Sequence, residues 1–336
     1  MSDFVESEFL KRELGIMFEC VNPQIVTFSK NINFLLTGNL EQWESRIRAS
    51  GAAQFVVFLI GNEYYDIDKF TKLNDFPQIV HSFVQYLPEN DSPISLTLFM
   101  RSTLQLKTAI FTRQYLSMIL KAVKKNRALR KMEVPENYSF LPLGYTNRFV
   151  NELKTSKRVF VEDSLLQNPL TSLNQKAPLV CFMGQKGSWL RRKLVEDFSS
   201  FPTAIIKFYD GWGGQLDSEI TEYSELLNRC QFVLCPPGNF SNECPRYYEV
   251  VALGGIPVVS SMTIQDFTNF DYWPSKHMKG FRKLSQQQIF FQLLKLDEAT
   301  RTELQRRIFN DLKEKMFGLR RKIIELNSLN HPGINL

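Results

Sequence analysis

The sequence predicts an α/β protein built on parallel sheets. In the second half of the chain, strand-like apolar runs alternate with helical stretches of about 10–15 residues, which is typical of βαβ units. The chain has 336 residues, enough for two domains of roughly 100–200 residues each. Hydrophobic residues make up 43% and charged residues 23%, so extensive disorder is excluded.

Elements of the first half are indicated by short apolar runs rich in β-branched and aromatic residues. The predicted strands are Gln24–Phe28, Asn33–Leu36, Gln54–Ile60, Gln78–Tyr86 and Ser95–Phe99. Asn39 is a candidate cap for a helix that continues to Ile47. Apolar residues recur at helical spacing from Ser102 to about Arg130, which predicts a long helix or a broken pair.

The second half gives the clearer pattern. Its predicted strands are Leu179–Met183, Thr203–Phe208, Gln231–Cys235 and Ile256–Ser260, and its predicted helices are a stretch from Ser188, Glu219–Arg229, Pro245 to Gly254, Gln286–Leu296 and Glu298–Leu326. Prolines and weak periodicity between the two halves mark a linker. We therefore predict a first domain over 1–150, a linker over 151–177 and a second domain over 178–336.

Composition restricts the compartment and the chemistry. Five scattered cysteines without a CxxC pair, together with three histidines, argue against a zinc site or a disulfide framework and predict buried thiols. The N-terminal segment carries acidic residues where a signal peptide needs a basic start, and no apolar run approaches the ~18 residues of a membrane span. We expect a cytoplasmic protein.

The most informative stretch runs from Phe232 to Val259 and reads as a strand, a polar loop, a helix N-terminus and another strand. Ligands of open parallel sheets bind beyond the carboxyl ends of the strands, and a helix N-terminus suits phosphate. Arg246 lies in the first helical turn, where its guanidinium can hold a phosphate, and Glu249 follows one turn later, where a carboxylate can accept both hydroxyls of a ribose. These are the parts of a nucleotide site.

The same stretch, with its pattern CP.GN....CPR.YE..ALG.IPVV, resembles the donor-site motif of exostosin-like glycosyltransferases, closest to their ribitol xylosyltransferase-like branch. Two weaker similarities are Phe140-Leu-Pro-Leu-Gly-Tyr145 and Phe182-Met-Gly-Gln-Lys-Gly187. The resemblance implies a GT-B architecture, in which two Rossmann-like domains with parallel sheets face a central cleft. It also implies a hexosyl- or pentosyltransferase that uses a nucleotide-sugar donor, expected to be UDP-linked, in surface polysaccharide or glycoconjugate synthesis.

Carried over by position, the resemblance makes Arg246 the phosphate-contacting arginine and Glu249 the ribose-binding glutamate. The remaining donor-pocket candidates are Gly184, Gln185, Lys186, Asn239, Ser241, Asn242 and Glu243. Pro237 stands where many family members have an arginine, and Lys186 is the candidate substitute. The competing interpretation is an ordinary strand–loop–helix of a doubly wound domain.

Candidate catalytic residues follow the apolar strand Gln54–Ile60. An inverting sugar transfer needs a base to deprotonate the acceptor hydroxyl, and Glu63 is the first choice, Asp66 the second and His81 the third. A lone histidine in a strand is more often structural. Asp66-Ile-Asp68 also spells the DxD metal signature of GT-A enzymes, but arginine, lysine and helix ends can neutralise a leaving diphosphate. We expect no metal.

A basic segment suggests the nature of the acceptor. From Ser92 to Met132 the chain has nine Lys or Arg and no Asp or Glu, whereas the whole chain has a net charge of +6. The cluster at 121–131 is either a solvated helix end or a surface for an anionic glycan or lipid-linked acceptor at the inner membrane face. No nucleic-acid motif accompanies it, so nucleic acid is not an expected partner. A nucleotide- or glycan-binding protein without turnover is the alternative function.

Overall fold

The computed structural model divides the chain into two compact units. Unit 1 comprises Met1–Cys20, Leu143–Thr263 and Asp271–Leu336, and unit 2 comprises Val21–Pro142 and Ile264–Phe270. The structure describes residues 7–15, 25–27, 32–37, 44–49, 54–60, 75–85, 137–155, 164–185, 197–198, 200–209, 220–236, 244–259 and 286–328. Each unit is built on its own sheet, so the protein has an α/β fold with two mainly parallel sheets.

Unit 2 contains a five-stranded sheet in the order β1-β2-β3-β4-β5. Its strands are β1 (Ile25–Thr27), β2 (Ile32–Thr37), β3 (Gln54–Leu59), β4 (Ile79–Val84) and β5 (Tyr138–Phe140). β1 and β2 are antiparallel, and the other neighbouring pairs are parallel. Helix α1 (Ser7–Leu14) precedes this sheet in sequence but belongs to unit 1, and α2 (Glu44–Ala49) lies between β2 and β3 in sequence.

The core of unit 2 forms around β3, whose four central residues are buried. These four residues, Phe55 to Phe58, are all apolar because a parallel strand is covered on both faces. Phe58 on β3 stacks on Phe83 of β4, with ring centroids 4.8 Å apart. One further backbone hydrogen bond extends the pairing of β4 and β5, because the Leu141 amide, directly after β5, donates to the Val84 carbonyl at the end of β4.

Unit 1 contains a four-stranded, wholly parallel sheet in the order β7-β6-β8-β9. The strands are β6 (Ala177–Gln185), β7 (Ala204–Tyr209), β8 (Cys230–Cys235) and β9 (Ile256–Val259). The described helices of this unit after α1 are α3 (Asn147–Thr155), α4 (Ile220–Arg229), α5 (Pro245–Ala252), α6 (Gln286–Lys295) and α7 (Glu298–Ser328). Every residue of β8 and β9 is buried, as expected for parallel strands of an α/β unit, whose sheet is covered on both faces.

An aromatic cluster packs helix α6 against this sheet. The Phe290 ring lies 5.4 Å from that of Phe232 on β8 and 5.8 Å from that of Phe198. Phe201, at the start of the segment leading into β7, completes the cluster 6.0 Å from Phe290. Edge-on and tilted geometries of this kind are those that aromatic rings prefer, and they fix the helix on the sheet.

The sequence-based prediction of elements is largely confirmed. All four strands predicted in the second half are present, as are four of the five predicted in the first half and the four helices that correspond to α4, α5, α6 and α7. β5 was missed, because its three residues lie among prolines and lack a readable period. The predicted strand Ser95–Phe99, the predicted helix from Ser102 and the basic segment lie outside the described residues.

The division of the chain differs from the predicted ranges 1–150, 151–177 and 178–336. Helices α1 and α3 belong to unit 1 with the C-terminal sheet, rather than to an N-terminal domain and a linker. The cause is packing, because the α1 residue Phe9 is fully buried, with its ring 5.1 Å from Tyr145 and 5.8 Å from Tyr248 on α5.

The structure also bears on the predicted thiols and on helices that could cross a membrane. The four cysteines that the structure describes, Cys181, Cys230, Cys235 and Cys244, are buried free thiols, as the sequence predicted. Among the described residues, no helix combines the length and the apolar character that crossing a bilayer requires.

Candidate functional site

The topology of unit 1 points to one edge of its sheet. The chain passes from β6 to β7 on one side and then to β8 on the other side of β6, so the strand order reverses at β6. In open α/β sheets, ligands bind beyond the carboxyl ends of the strands at such a reversal. Those ends are Gln185 on β6 and Cys235 on β8, which adjoin the two segments that the sequence identified as donor-pocket candidates.

Helix α5 begins after the second of these strands. Cys244 is extended, with φ −141° and ψ 142°, and Pro245 occupies the first helical turn, where its missing N–H costs nothing. The helix ends at Ala252 with Leu253 as its C-cap, and Gly254 then adopts a φ of 74°, which a side chain would disfavour. These boundaries place Arg246 in the first turn and Glu249 one turn further along.

The Arg246 side chain lies at the carboxyl end of β6. Its Nη2 donates to the Met183 carbonyl at 2.7 Å, and its guanidinium carbon lies 4.5 Å from the centre of the Phe182 ring. Its Nε atom is enclosed by protein and has no hydrogen-bond partner within the described part of the chain. A guanidinium has five N–H donors, so this contact uses only one of them.

The Arg246 side chain lies so close to residue 184 that only a glycine fits there. A Cβ atom on Gly184 would lie 2.8 Å from Arg246 Nη2 and 2.9 Å from Phe182 Cζ, closer than real Cβ atoms approach. A glycine at this point therefore lets the guanidinium rest against the strand. The structure thus brings together two of the predicted donor-pocket residues, Gly184 and Arg246.

Electrostatics keep Arg246 charged. Burial alone would lower its pKa, but the neighbouring Tyr223, Cys244, Cys235 and Glu249 raise the pKa above its ordinary value. The guanidinium therefore carries a full positive charge at every physiological pH, close to the N-terminus of α5, where the helix dipole adds positive potential. This arrangement can bind an anion.

Glu249 is almost fully enclosed, with 2% of its surface exposed. Its Oε1 accepts hydrogen bonds from the Thr146 hydroxyl at 2.8 Å and from the Thr146 amide at 3.3 Å. Its Oε2 accepts one from the Tyr223 hydroxyl. A carboxylate has about four acceptor positions, so the three donors found in the described part of the chain leave one, on Oε2.

The residues that hold Glu249 are themselves fixed. The Thr146 hydroxyl accepts a hydrogen bond from the Phe149 amide at 3.2 Å, as an N-cap of α3 does, so its proton points to Glu249. Tyr223 lies on α4, with the Arg148 guanidinium 6.0 Å from its ring centre. Two helices therefore orient one carboxylate on a third.

Sequence reasoning missed Thr146 and Tyr223. Thr146 carries a readable signal, since a threonine directly before a helical stretch is a typical N-cap. Tyr223 carries none, because it is an ordinary position on the buried face of α4 and its partner is 26 residues away.

Of the other predicted site residues, the structure describes Gln185 and His81. Gln185 is the last residue of β6, and Lys186, Asn239, Ser241, Asn242, Glu243, Glu63 and Asp66 lie outside the described residues. His81 is buried on β4 of unit 2, at 4% exposure, with its Nε2 3.0 Å from the Ser139 hydroxyl and its ring 4.8 Å from that of Phe83. This setting fits the structural interpretation of His81.

Unit 1 holds a second buried glutamate with similar partners. Glu13 on α1 accepts hydrogen bonds from the Tyr145 hydroxyl at 2.7 Å, from the Leu165 amide at 2.8 Å and from the Ser164 hydroxyl. Burial raises the pKa of Glu13, although these hydrogen bonds act against the rise. The pKa of Tyr145 is also raised, by burial and by the Glu13 charge.

Comparison with known proteins adds no family assignment. No protein-family model matches this chain, and no curated protein matches its sequence.

Proposed function

We propose that this protein is a glycosyltransferase of the GT-B type, with two Rossmann-like domains, that moves a sugar from a nucleotide-sugar to a glycan or polyol-phosphate acceptor. The observation that carries the proposal is the position of Arg246: a charged guanidinium, one turn before Glu249, at the carboxyl end of β6 where the strand order reverses. The resemblance of the surrounding segment to exostosin-like enzymes supplies the reaction class.

In this proposal Arg246 binds the diphosphate of the donor. The charge that develops on the leaving diphosphate is offset by the guanidinium and by the N-terminus of α5, so the transfer needs no metal. Lys186 and the loop residues Asn239, Ser241, Asn242 and Glu243 complete the pocket. Glu249 then receives a hydroxyl of the nucleoside ribose, and the donor is UDP-linked.

In this proposal, an inverting transfer takes its base from the residues that follow β3 in the chain. Glu63 is the preferred residue, with Asp66 the second choice, because both follow β3 directly and carry carboxylates. His81 becomes the weakest of the three candidates, since it is buried against Phe83 and Ser139. The acceptor is anionic and engages the basic segment 121–131 on the cytoplasmic side of a membrane.

A ligand screen followed by a transfer assay tests the proposal. Thermal shift with UDP, GDP, CMP and UDP-sugars should give one nucleotide that stabilises the protein by about 2.7 kcal/mol at 100 times its dissociation constant. Arg246→Ala should abolish that shift and the transfer of sugar to acceptor, because the diphosphate loses its cationic partner. Far-ultraviolet circular dichroism provides the control for folding. A variant with wild-type nucleotide affinity would contradict the donor-site assignment.

The alternative, a nucleotide- or glycan-binding protein without turnover, is favoured by one observation, the structural setting of His81. Glu63→Gln separates the two functions. In a transferase, this variant keeps the nucleotide shift and loses transfer; in a binding protein, wild-type chain and variant alike bind without consuming the nucleotide-sugar.

A further inference from the structure

The hydrogen bonds around Glu249 are distributed unequally between its two oxygens. Oε1 receives both donors of Thr146, the hydroxyl and the amide, and is fully occupied. Oε2 receives the Tyr223 hydroxyl and, counting donors from the described residues, keeps one acceptor position. Only 2% of the Glu249 surface is exposed, so protein groups enclose most of this residue.

We propose that Tyr223 is a specificity-determining residue that limits Glu249 to a single ribose hydroxyl, while Thr146 is a positioning residue that holds the carboxylate in place. This inference rests on the proposed function and deepens it, because a free carboxylate at this point would accept both ribose hydroxyls. Tyr223 occupies the position that the second hydroxyl would use.

The local geometry explains why the restriction is rigid. Thr146 caps α3 through the Phe149 amide, so its hydroxyl cannot turn away from Oε1 without leaving that amide unpaired. Tyr223 is 9% exposed and contacts the Arg148 guanidinium on one ring face. Neither donor can leave the carboxylate without an energetic cost, so the ligand meets a preorganised acceptor.

The first test needs only the wild-type chain. Isothermal titration compares UDP with 2′-deoxy-UDP and 3′-deoxy-UDP. One deoxy form should lose about 10- to 100-fold in affinity, the value of one hydrogen bond to a charged group, and the other should bind nearly as well as UDP. Equal losses for both deoxy forms, or no loss for either, would overturn the inference.

The second test uses Tyr223→Phe, which opens the second acceptor position on Oε2. The ratio between the two deoxy affinities should fall towards one, while affinity for inorganic pyrophosphate, which reports on Arg246, stays at the wild-type value. A merely structural role would weaken UDP and pyrophosphate together and leave the ratio unchanged, and this result would overturn the inference.

Two further variants serve as controls. Tyr145→Phe removes an equivalent hydroxyl from Glu13 and should leave the ratio unchanged. Thr146→Ser keeps both donors to Oε1 and should also preserve it. A wild-type chain that binds UDP without selecting one hydroxyl refutes the role of Tyr223 alone. A chain that binds none of the screened nucleotides refutes the proposed function as well.

Discussion

Glu13 and Glu249 receive nearly the same set of hydrogen bonds in different parts of unit 1. Each accepts one tyrosine hydroxyl, one serine or threonine hydroxyl and one backbone amide, and each is almost completely buried. The partners even come from adjacent residues, since Tyr145 donates to Glu13 and Thr146 to Glu249.

The surroundings of the two carboxylates separate their roles. Glu249 lies one turn after Arg246 on a helix that begins beyond the carboxyl edge of the sheet, where ligands of such folds bind. Glu13 lies on α1 and ties that helix to Tyr145 and to the segment at Ser164. A buried, hydrogen-bonded glutamate is therefore a structural feature by default, and its position relative to the sheet edge makes it a binding candidate.

The largest expected effect comes from disturbing both glutamates together. Gly144 precedes Tyr145 and Thr146, has a φ of 72°, and a Cβ atom there would overlap the ring of Phe9. Gly144→Ala should reduce the free energy of unfolding by about 3 kcal/mol or more, from backbone strain plus overpacking. Urea unfolding measures the loss.

The matched control is another glycine-to-alanine change in unit 1. Gly318 lies in α7, and its added Cβ would meet nothing within 4 Å. Gly318→Ala should stabilise the protein by about 0.5–1 kcal/mol, because alanine loses less conformational entropy in a helix. Similar stability changes in the two variants would show that Gly144 does not govern the pair of glutamates.

The next largest effect is on nucleotide affinity, which a glutamine substitution should reduce at Glu249 but not at Glu13. Glutamine fits both sites, since its oxygen can keep the donors on Oε1 and its amide can donate to the remaining hydroxyl. Glu249→Gln should weaken nucleotide affinity about 10- to 100-fold, because the open acceptor position on Oε2 is lost. Glu13→Gln should leave that affinity unchanged. Titration of both variants with the nucleotide found by the screen measures the two affinities. Equal affinities of Glu249→Gln and Glu13→Gln would contradict a binding role for Glu249 alone.

The smallest effect is a difference in the pH dependence of stability. The folded-state pKa of Glu13 is raised, so the folded protein holds this proton more tightly than the unfolded chain does. Its contribution to stability is therefore complete below the unfolded pKa and is lost as pH rises through the folded pKa. Glu13→Gln should remove this loss, so its stability advantage over the wild type should grow as pH rises above the ordinary range of a glutamate.

Urea unfolding at a series of pH values from about 4 to 8 measures this difference. Subtracting the two curves is necessary because burial also raises the pKa of Glu152, which contributes to both proteins. A constant difference between wild type and Glu13→Gln across the series would contradict the assignment of the raised pKa to Glu13.

Local sequence patterns predicted the sheet of unit 1 and part of the site. β8 is apolar except for Gln231 and stops before Pro236, and β9 is an apolar run that starts after Gly255, so their extents could be read closely from the sequence. Arg246 and Glu249 could be paired because helical geometry places residues three apart on one face. Each of these inferences depends on neighbours in sequence.

The unpredicted parts depend on distant residues. Thr146 meets Glu249 across 103 positions, and Ser164 meets Glu13 across 151. No local period encodes which threonine or serine turns toward which carboxylate, because the choice is made when helices pack. The assignment of α1 to unit 1 was missed for the same reason, since α1 is held by Phe9 and Glu13 against residues beyond 140.

That separation has a consequence for how the chain folds during synthesis. Ser164, whose hydroxyl donates to Glu13 on helix α1, is synthesised 151 residues after that glutamate. At about 5–20 residues per second, α1 waits roughly 8–30 s with its apolar face unpacked. Helix α1 is thus exposed to chaperones on the nascent chain during this interval, and it can dock fully only after Tyr145, Ser164 and Tyr248 have been synthesised.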